Sequence, residues 1–424
     1  MRSTPYWLDT APAFQSGADQ PVEGRFDVAV IGAGFTGLST ALRLARQGVS
    51  VLVLDAGPVI GEASGRNGGQ CNTGLAHDYA KIIQTHGRDT AMRFHQAYSA
   101  AVADVERLVI DENIDCDFRR CGKLKLAAKP RHYENLAAAH RLMNDGFDAK
   151  TELFDAARVR DEIGSAAFHG ALLMPDAAQL HVGRFGVGIA EAAARHGATI
   201  HENTPLLALD RHTLGFELRT PTGRAVAEQV VLATGTSRVG PLGWFRRRIV
   251  PVGSFILVTA PLPASTLDTL LPARRNYVTS RVIGHYFRVT SDRRLLFGGR
   301  ARFSMSDARA DRKAGAVLRH NLCHLFPSLA ETAIDYCWGG LVDMSRDRLP
   351  RAGSDRGLHY AMGYSGHGVQ MSVYMGGVIA ERVTGEADRN PWAGLNWPAI
   401  PGHFGTPWFL PAVGAWYQLK DRFR

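Results

Sequence analysis

Residues 26–57 hold a strand, a glycine turn, a helix, a second strand and an acid in unbroken order. The apolar run Asp27 to Ile31 leads into Gly32-Ala33-Gly34-Phe35-Thr36-Gly37. A helical stretch follows from Leu38 to Arg46, and Gly48 ends it. Val49 to Leu54 forms the second strand and stops at Asp55, 18 residues after Gly37. Each part serves a dinucleotide. Gly32 permits the tight turn, Gly34 lets the backbone approach a pyrophosphate, and Gly37 lets helix pack close to strand. The helix start at Phe35 and Thr36 presents free N–H groups and the positive end of a dipole to phosphate. Asp55, followed by Ala56, is placed to accept from ribose hydroxyls. A lone GxGxxG is weak evidence; the complete ordered unit is strong. By itself it does not separate FAD from NAD.

A chain of 424 residues is long for one core, so two or three lobes are expected. The net charge of +9 is scattered, apart from Arg246-Arg247-Arg248, and lacks the interleaved aromatics of a nucleic-acid surface. Nucleic acid is therefore excluded as a partner. The five cysteines (Cys71, Cys116, Cys121, Cys323, Cys337) are odd in number and irregularly spaced, so neither a disulfide framework nor a metal site is expected. No run of 18 apolar residues and no apolar leader occur, so the chain reads as cytoplasmic with no transmembrane segment.

Residues 1–25 read as an irregular arm, with Tyr6 and Trp7 packed on the body. Periodicity predicts helices over 88–112, 131–146, 181–196 and 308–326. Strands are expected at 123–127, 199–202, 206–209, 216–220, 229–232, 249–259, 285–290 and 294–299, with a hairpin turn at Ser291-Asp292-Arg293. The strand at 229–232 runs into Ala233-Thr234-Gly235 and returns the chain to the dinucleotide domain. A last strand–loop–helix unit covers 357–384. The dinucleotide domain is thus built from separated segments around a strand-rich insertion, unlike a contiguous NAD-dependent dehydrogenase.

Four segments carry a family likeness: the opening unit with Asp55; Ala63-Ser64-Gly65-Arg66-Asn67-Gly68-Gly69-Gln70; Leu295-Leu296-Phe297-Gly298-Gly299; and Gly363-Tyr364-Ser365-Gly366-His367-Gly368-Val369-Gln370. On these the chain resembles the FAD-dependent amino acid and amine oxidase family, of the D-amino acid oxidase and glycine–sarcosine oxidase type. Within it, the γ-glutamylputrescine oxidase branch is most similar, including the tail Pro398 to Pro411. The resemblance implies an α/β fold plus a β-rich substrate domain: a glutathione-reductase-like Rossmann FAD domain in discontinuous segments with an inserted antiparallel sheet. It implies FAD-binding parts at 1–85, 151–240 and 336–424, and substrate-domain parts at 86–150 and 241–335. Leu206 is added to the FAD-binding positions on the same ground.

The chemistry of two segments follows from their residues. In 63–70, small residues let the backbone lie close to a flat ring. Asn67 and Gln70 suit hydrogen bonds to a flavin edge, Arg66 suits phosphate or ring, and Ser64, Gly68 and Gly69 shape the loop. In 363–370, Gly363, Ser365, Gly366, His367 and Gly368 precede a helix beginning near Val369 and Gln370. Its N-terminus stabilises negative charge on a bound ring. Gln70, Tyr286 and His367 are the side chains expected nearest the reacting atoms; His367 reads as structural more than as a base. Cys337 falls about three residues before the cysteine that binds flavin covalently in some relatives, so noncovalent FAD is favoured.

Two cations that hold a substrate carboxylate in relatives are absent. Their positions read Val342, within Gly340-Leu341-Val342-Asp343, and Gln370. A desolvated carboxylate without a charged partner is costly. This points away from glycine, sarcosine or simple D-amino acids, and towards an amine with any negative group farther off, met by Arg288, Arg300 or Arg302. Asp343, in place of the proline of that segment, reads either as an acid that attracts an ammonium group or as a solvated loop acid, the latter favoured. The expected reaction is oxidation of an amine C–N bond to an imine that hydrolyses, with O2 or another acceptor taking the electrons. The alternatives are an amino acid dehydrogenase passing electrons to a quinone, for which the tail aromatics Trp408, Phe409, Trp416 and Tyr417 offer a contact, and a noncatalytic FAD-holding subunit.

Overall fold

The structure, a computed structural model, describes residues 1–75, 77–300, 303 and 305–423. Two eight-stranded sheets organise it. In the first, Arg25–Ile31 is central. Val51–Leu54 and then Thr199–His201 extend the sheet in parallel on one side, and Arg224–Leu232 on the other. Continuous apolar runs such as Val51-Leu52-Val53-Leu54 are what a strand covered on both faces requires. Arg224–Leu232 takes two partners in succession. Its first half pairs antiparallel with Gly215–Arg219, and Val230 to Leu232 pair in parallel with Leu358–Met362. The last segment of the fold thereby docks beside the first.

Helix Gly368–Thr384 follows that strand and crosses the fingerprint helix Phe35–Arg46 at Gly376. A Cβ on Gly376 would sit 2.7 Å from Ser39 Cβ and 2.9 Å from the Thr36 carbonyl. The Thr40 hydroxyl donates to the Gly376 carbonyl at 3.1 Å. Glycine at this one position seats the late helix directly on the early one.

The second sheet runs Ile334–Met344, Val250–Thr259, Leu295–Gly299, His285–Val289, Asn276–Thr279, Lys123–Leu126, Ala171–Met174, Glu152–Phe154. Its Phe255, Leu257, Phe287, Phe297 and Leu124 point into a core shared with helix Ala308–Leu325. The alternate residues face the first domain. Cross-strand register sets Lys125, Val278, Tyr286, Gly298, Ile256 and Trp338 in one row on that face.

Most expected elements form, and several boundaries move. By sheet membership, Glu152–Phe154 and Ala171–Met174 belong to the second sheet although they lie inside 151–240. Ile334–Met344 crosses the 335/336 boundary and pairs in the second sheet along its length. That strand was not visible in the sequence, because Gly339-Gly340 and the acids Asp335 and Asp343 break its alternation. The strand expected at 206–209 starts later and spans Ala208–His212. The N-terminal arm contains a short helix, Tyr6–Thr10, with Tyr6 and Trp7 buried. Helix Leu410–Phe423 packs against Val282, Ile283 and Phe303: the two Asp421 carboxylate oxygens accept from Val282 N and Ile283 N, each at 2.9 Å. No helix among the described residues is long and apolar enough to cross a membrane.

Candidate active site

The groove at the carboxyl ends of the parallel strands is shaped by glycine. Gly32 has φ +110°, and a Cβ there would lie 2.6 Å from the Ala233 carbonyl. On Gly37 it would lie 1.8 Å from the Gly32 carbonyl, so only glycine fits. Gly34 precedes the helix, which has no side-chain cap at its start. Ser64 Oγ accepts from Phe35 N at 3.0 Å, bringing the second segment to the mouth of the first. Asp55 accepts from Ala33 N at 2.6 Å and Gly57 N at 2.8 Å. Burial raises its pKa while those two donors hold it down. Ala56 is exposed, Leu206 is buried, and Ala233, Thr234 and Gly235 lie half-buried where the neighbouring strand ends.

Segment 63–70 is a short helix, Ala63–Arg66, and a tight loop. Asn67 serves that loop: its amide donates to Ala63 O at 3.1 Å and Ser64 O at 2.8 Å, and its Oδ1 accepts from Gly69 N at 2.8 Å. Arg66 donates to Gly61 O at 2.8 Å and Gly339 O at 3.1 Å, tying the loop to the second sheet. A flat ring does lie on the glycines, and it is that of Tyr286: a Cβ on Gly68 would meet its Cε2 at 2.5 Å. A Cβ on Gly298 would meet the same ring from the other side at 2.4 Å. Tyr286 is thus held in a slot, with its hydroxyl 3.4 Å from Ser254 Oγ, and burial pushes its pKa up to about 12. Gln70 donates to Phe287 O at 3.1 Å and accepts from Asn72 at 3.1 Å. Asn72 in turn accepts from the Asn276 amide at 2.9 Å, and its carbonyl accepts from Gln370 Nε2 at 2.6 Å.

Segment 363–370 is a strained turn, with positive φ at Gly363, Ser365 and Gly366. Asp343 clamps it. The carboxylate accepts from Gly363 N at 2.6 Å and its carbonyl from Ser365 N at 3.1 Å. Asp343 is therefore no solvated loop acid: burial pushes its pKa up to about 6, against backbone donors that lower it. Tyr364 reaches the fingerprint through a 2.7 Å hydroxyl contact with Thr36. His367 stands before helix Gly368–Thr384 without a side-chain cap, its ring edge-on to Tyr98 and its Nδ1 buried without a partner. Burial, and then the cations Lys123, Arg348, His77 and Arg300, push its pKa down to about 3, so it is neutral. Gln370 Oε1 is likewise buried without a partner, and Val369 is buried at the first turn.

Arg288 is buried, donates to Leu180 O at 2.8 Å and lies over the Trp7 ring. It braces the Gly69 loop from behind. Arg300 is half-buried beside Met344, and Arg302 lies outside the described residues. Cys337 faces away from the first domain: its Sγ would be 2.7 Å from a Cβ on Gly315 of helix Ala308–Leu325, and burial pushes its pKa up to about 11.

The profile of the FAD dependent oxidoreductase family, DAO, matches residues 27–382. The chain belongs to this family. The cofactor is FAD, and the chain is an FAD-dependent oxidoreductase of the kind that acts on C–N bonds of amines and amino acids. It is 32% identical over 403 residues to the γ-glutamylputrescine oxidoreductase of Escherichia coli K12, covering 93% of each chain. It is 30% identical over 411 residues to the probable oxidoreductase OrdL of Haemophilus influenzae, covering 94% of this chain and 92% of that one. The glycine oxidase of Geobacillus kaustophilus shares the fold at a TM-score of 0.73 and 22% identity, over 89% of this chain and 100% of that one.

The residues present fit FAD. At Gly32, Gly34 and Gly37 a Cβ would collide with neighbouring backbone or with Ser64, so only glycine lets the turn close, the Gly34 N-cap carries no side chain, and His367 Nδ1 and Gln370 Oε1 are buried without a protein partner. Sequence reasoning missed the clamp at Asp343, the Thr36–Tyr364 contact, the Asn72–Asn276 amide pair and the lysines of Lys123–Leu126. Only the last left a signal: alternate lysines in a strand otherwise made of leucine.

Proposed function

We propose that the protein oxidises the C–N bond of an amine that carries no carboxylate on the reacting carbon. The substrate is of γ-glutamylputrescine-like or other polyamine-derived kind, and the imine formed hydrolyses to an aldehyde and an amine or ammonia. O2 takes up the electrons and leaves as H2O2. The observation that carries this reading is the uncharged pair Val342 and Gln370 at the two positions where relatives place carboxylate-binding cations. Gln370 spends its amide donor on Asn72, so it offers no positive charge either. The printed activity of the Escherichia coli relative supports the same reading.

FAD, held by these segments, would supply the hydride-accepting ring for the carbon beside nitrogen. The chain supplies position and field. Tyr286, protonated at any working pH, is held between Gly68 and Gly298 and so fixes the loop at 63–70 against the second sheet. The N-terminus of helix Gly368–Thr384 favours negative charge on the bound ring system. His367 stays neutral and offers a nitrogen lone pair or N–H without competing for the substrate's proton. The test is anaerobic bleaching of the yellow protein across γ-glutamyl amines, polyamines, N-methyl amino acids, pipecolate and glycine. Bleaching by glycine or sarcosine but by no longer amine would overturn the reading.

A second reading is a dehydrogenase serving a quinone. Phe404, Trp408, Trp416 and Leu419 are exposed towards the C-terminus, as a contact with a quinone-bearing membrane would need. Turnover that reduces a soluble quinone and releases no H2O2 in air would select it.

A further inference from the structure

A cleft of about 440 Å³ lies between the N-terminal helix Tyr6–Thr10, the strands Arg119–Arg120 and Ala178–Gln179, and the hairpin turn at 290–293. No residue of segments 32–37, 63–70 or 363–370 lines it. Its volume is that of a small-molecule site. Tyr6, Trp7 and Phe118 give it aromatic walls, and its charged lining is four arginines against one acid, Asp117.

Arg288 is the buried cation of this cleft. Its Nη2 donates to Leu180 O at 2.8 Å, its Nε is buried without a partner, and it is in no ion pair among the described residues. The guanidinium carbon lies 4.9 Å from the centre of the Trp7 ring. Burial lowers its pKa to about 10, which leaves it a cation at neutral pH. The neighbouring groups do not answer that charge. Asp117 accepts from Ser291 Oγ at 2.6 Å and pairs with Arg184 at 3.4 Å. His181 is neutral, with its pKa pushed down to about 4 by burial, and its Nδ1 accepts from Arg184 N at 3.2 Å. At the exposed mouth, Arg119 donates to the Arg274 carbonyl at 2.6 Å, and Arg293 is in no ion pair among the described residues. A desolvated guanidinium with unspent donors and no carboxylate favours an incoming anion.

Two lining side chains touch the 63–70 segment directly. Trp7 Nε1 donates to Asn67 O at 2.7 Å, and a Cβ on Gly69 would meet Arg288 Nη2 at 2.6 Å. Leu180 joins them, since its N–H donates to Gly69 O at 3.1 Å while its carbonyl takes Arg288. We infer that this cleft is an effector site for a small organic anion with a flat, apolar body. The ring of the ligand lies against Trp7 and Phe118, its anionic group pairs with Arg288, and Arg119 and Arg293 draw it in. Occupancy competes with Leu180 O for the guanidinium, and the loop proposed to face the flavin feels it at residues 67–69. The inference holds whichever amine is oxidised.

2-Naphthoate is the probe, with 2-naphthamide as its neutral counterpart and sulfate as an anion without an apolar body. Calorimetric titration of the holoenzyme should show 2-naphthoate bound more tightly than either control, with a shift of the flavin absorbance band on binding. Arg288→Met should weaken 2-naphthoate about tenfold or more. Arg119→Ala combined with Arg293→Ala should weaken it about threefold and leave the FAD content at the wild-type level. That pair stands at the exposed mouth, and it carries the test if Arg288→Met fails to fold. No binding of 2-naphthoate, equal affinity for 2-naphthamide or sulfate, or unchanged affinity in the paired variant overturns the inference. Binding that leaves both the flavin absorbance and turnover unaltered overturns the effector role.

Discussion

The hydroxyl groups of Thr36 and Tyr364 lie 2.7 Å apart in the core, although 328 positions separate them in the chain. Thr36 belongs to the helix proposed to meet the pyrophosphate, and Tyr364 to the turn before the helix proposed to meet the ring system. One buried hydrogen bond therefore fixes the distance between the two segments proposed to grip FAD. Tyr364→Phe leaves the Thr36 hydroxyl buried and unpaired, a loss of about 1–3 kcal/mol. Thermal unfolding and FAD titration of the apoprotein should both show it. A variant with wild-type values in both would mean that the contact sets nothing.

Asp343 gives a stability term with a definite sign. Its native pKa, about 6, lies above the ordinary aspartate value of 3.8, so its favourable contribution is present at low pH and lost as pH rises through 6. The difference is at most about 3 kcal/mol. Asp343→Asn keeps an acceptor for Gly363 N and has no proton to lose. Measured against wild type, the variant should gain relative stability between pH 4 and pH 7, roughly the interval between the two pKa values. A parallel pair of pH–stability curves would remove the argument.

His367 is held neutral, with a pKa pushed down to about 3. The pH dependence of flavin reduction at neutral and mildly acidic pH thus belongs to the substrate amine or to other groups. His367→Gln should change the rate and leave the shape of the profile intact. Disappearance of an acid limb in the variant would show that His367 titrates in the working range.

Gly68 touches the Tyr286 ring where a methyl group has no room. Gly68→Ala should cost about 1–3 kcal/mol through overpacking. It should also displace Tyr286, raising KM for any amine that reduces the flavin while FAD affinity falls much less. Equal losses in both would place the damage in the loop's fold instead of at Tyr286.

Cys337 faces helix Ala308–Leu325, so it cannot reach a ring held by the first domain. Acid precipitation should release all of the flavin into the supernatant, and Cys337→Ala should purify as yellow as wild type. Flavin retained on the pellet would contradict the orientation of this side chain.

The parts of the site that were legible in the sequence are those whose chemistry is local. Gly32, Gly34 and Gly37 announce a close backbone approach, and Ser365-Gly366 a turn before a helix. Asn67 shows the limit of that logic. An amide in a glycine loop suits a flavin edge, but the loop's own carbonyls and the Gly69 N–H are nearer and take it. Lys123 and Lys125 left a signal that two folds could share. Alternating lysine and leucine describes a half-exposed strand equally well, and its interior place depends on Asn276–Thr279, some 150 residues later. Asp343 needed the register of Ile334–Met344 before its carboxylate could be placed against Gly363.

The long strand Arg224–Leu232 shares its length between a hairpin made just before it and a strand, Leu358–Met362, made more than a hundred residues after it. During synthesis the hairpin half can pair at once, while Val230 to Leu232 must wait with an open edge. Flavin capture is accordingly a late event in the birth of this enzyme. A ribosome stalled before residue 358 would hold a nascent chain with a finished phosphate loop and no means of closing it around the cofactor.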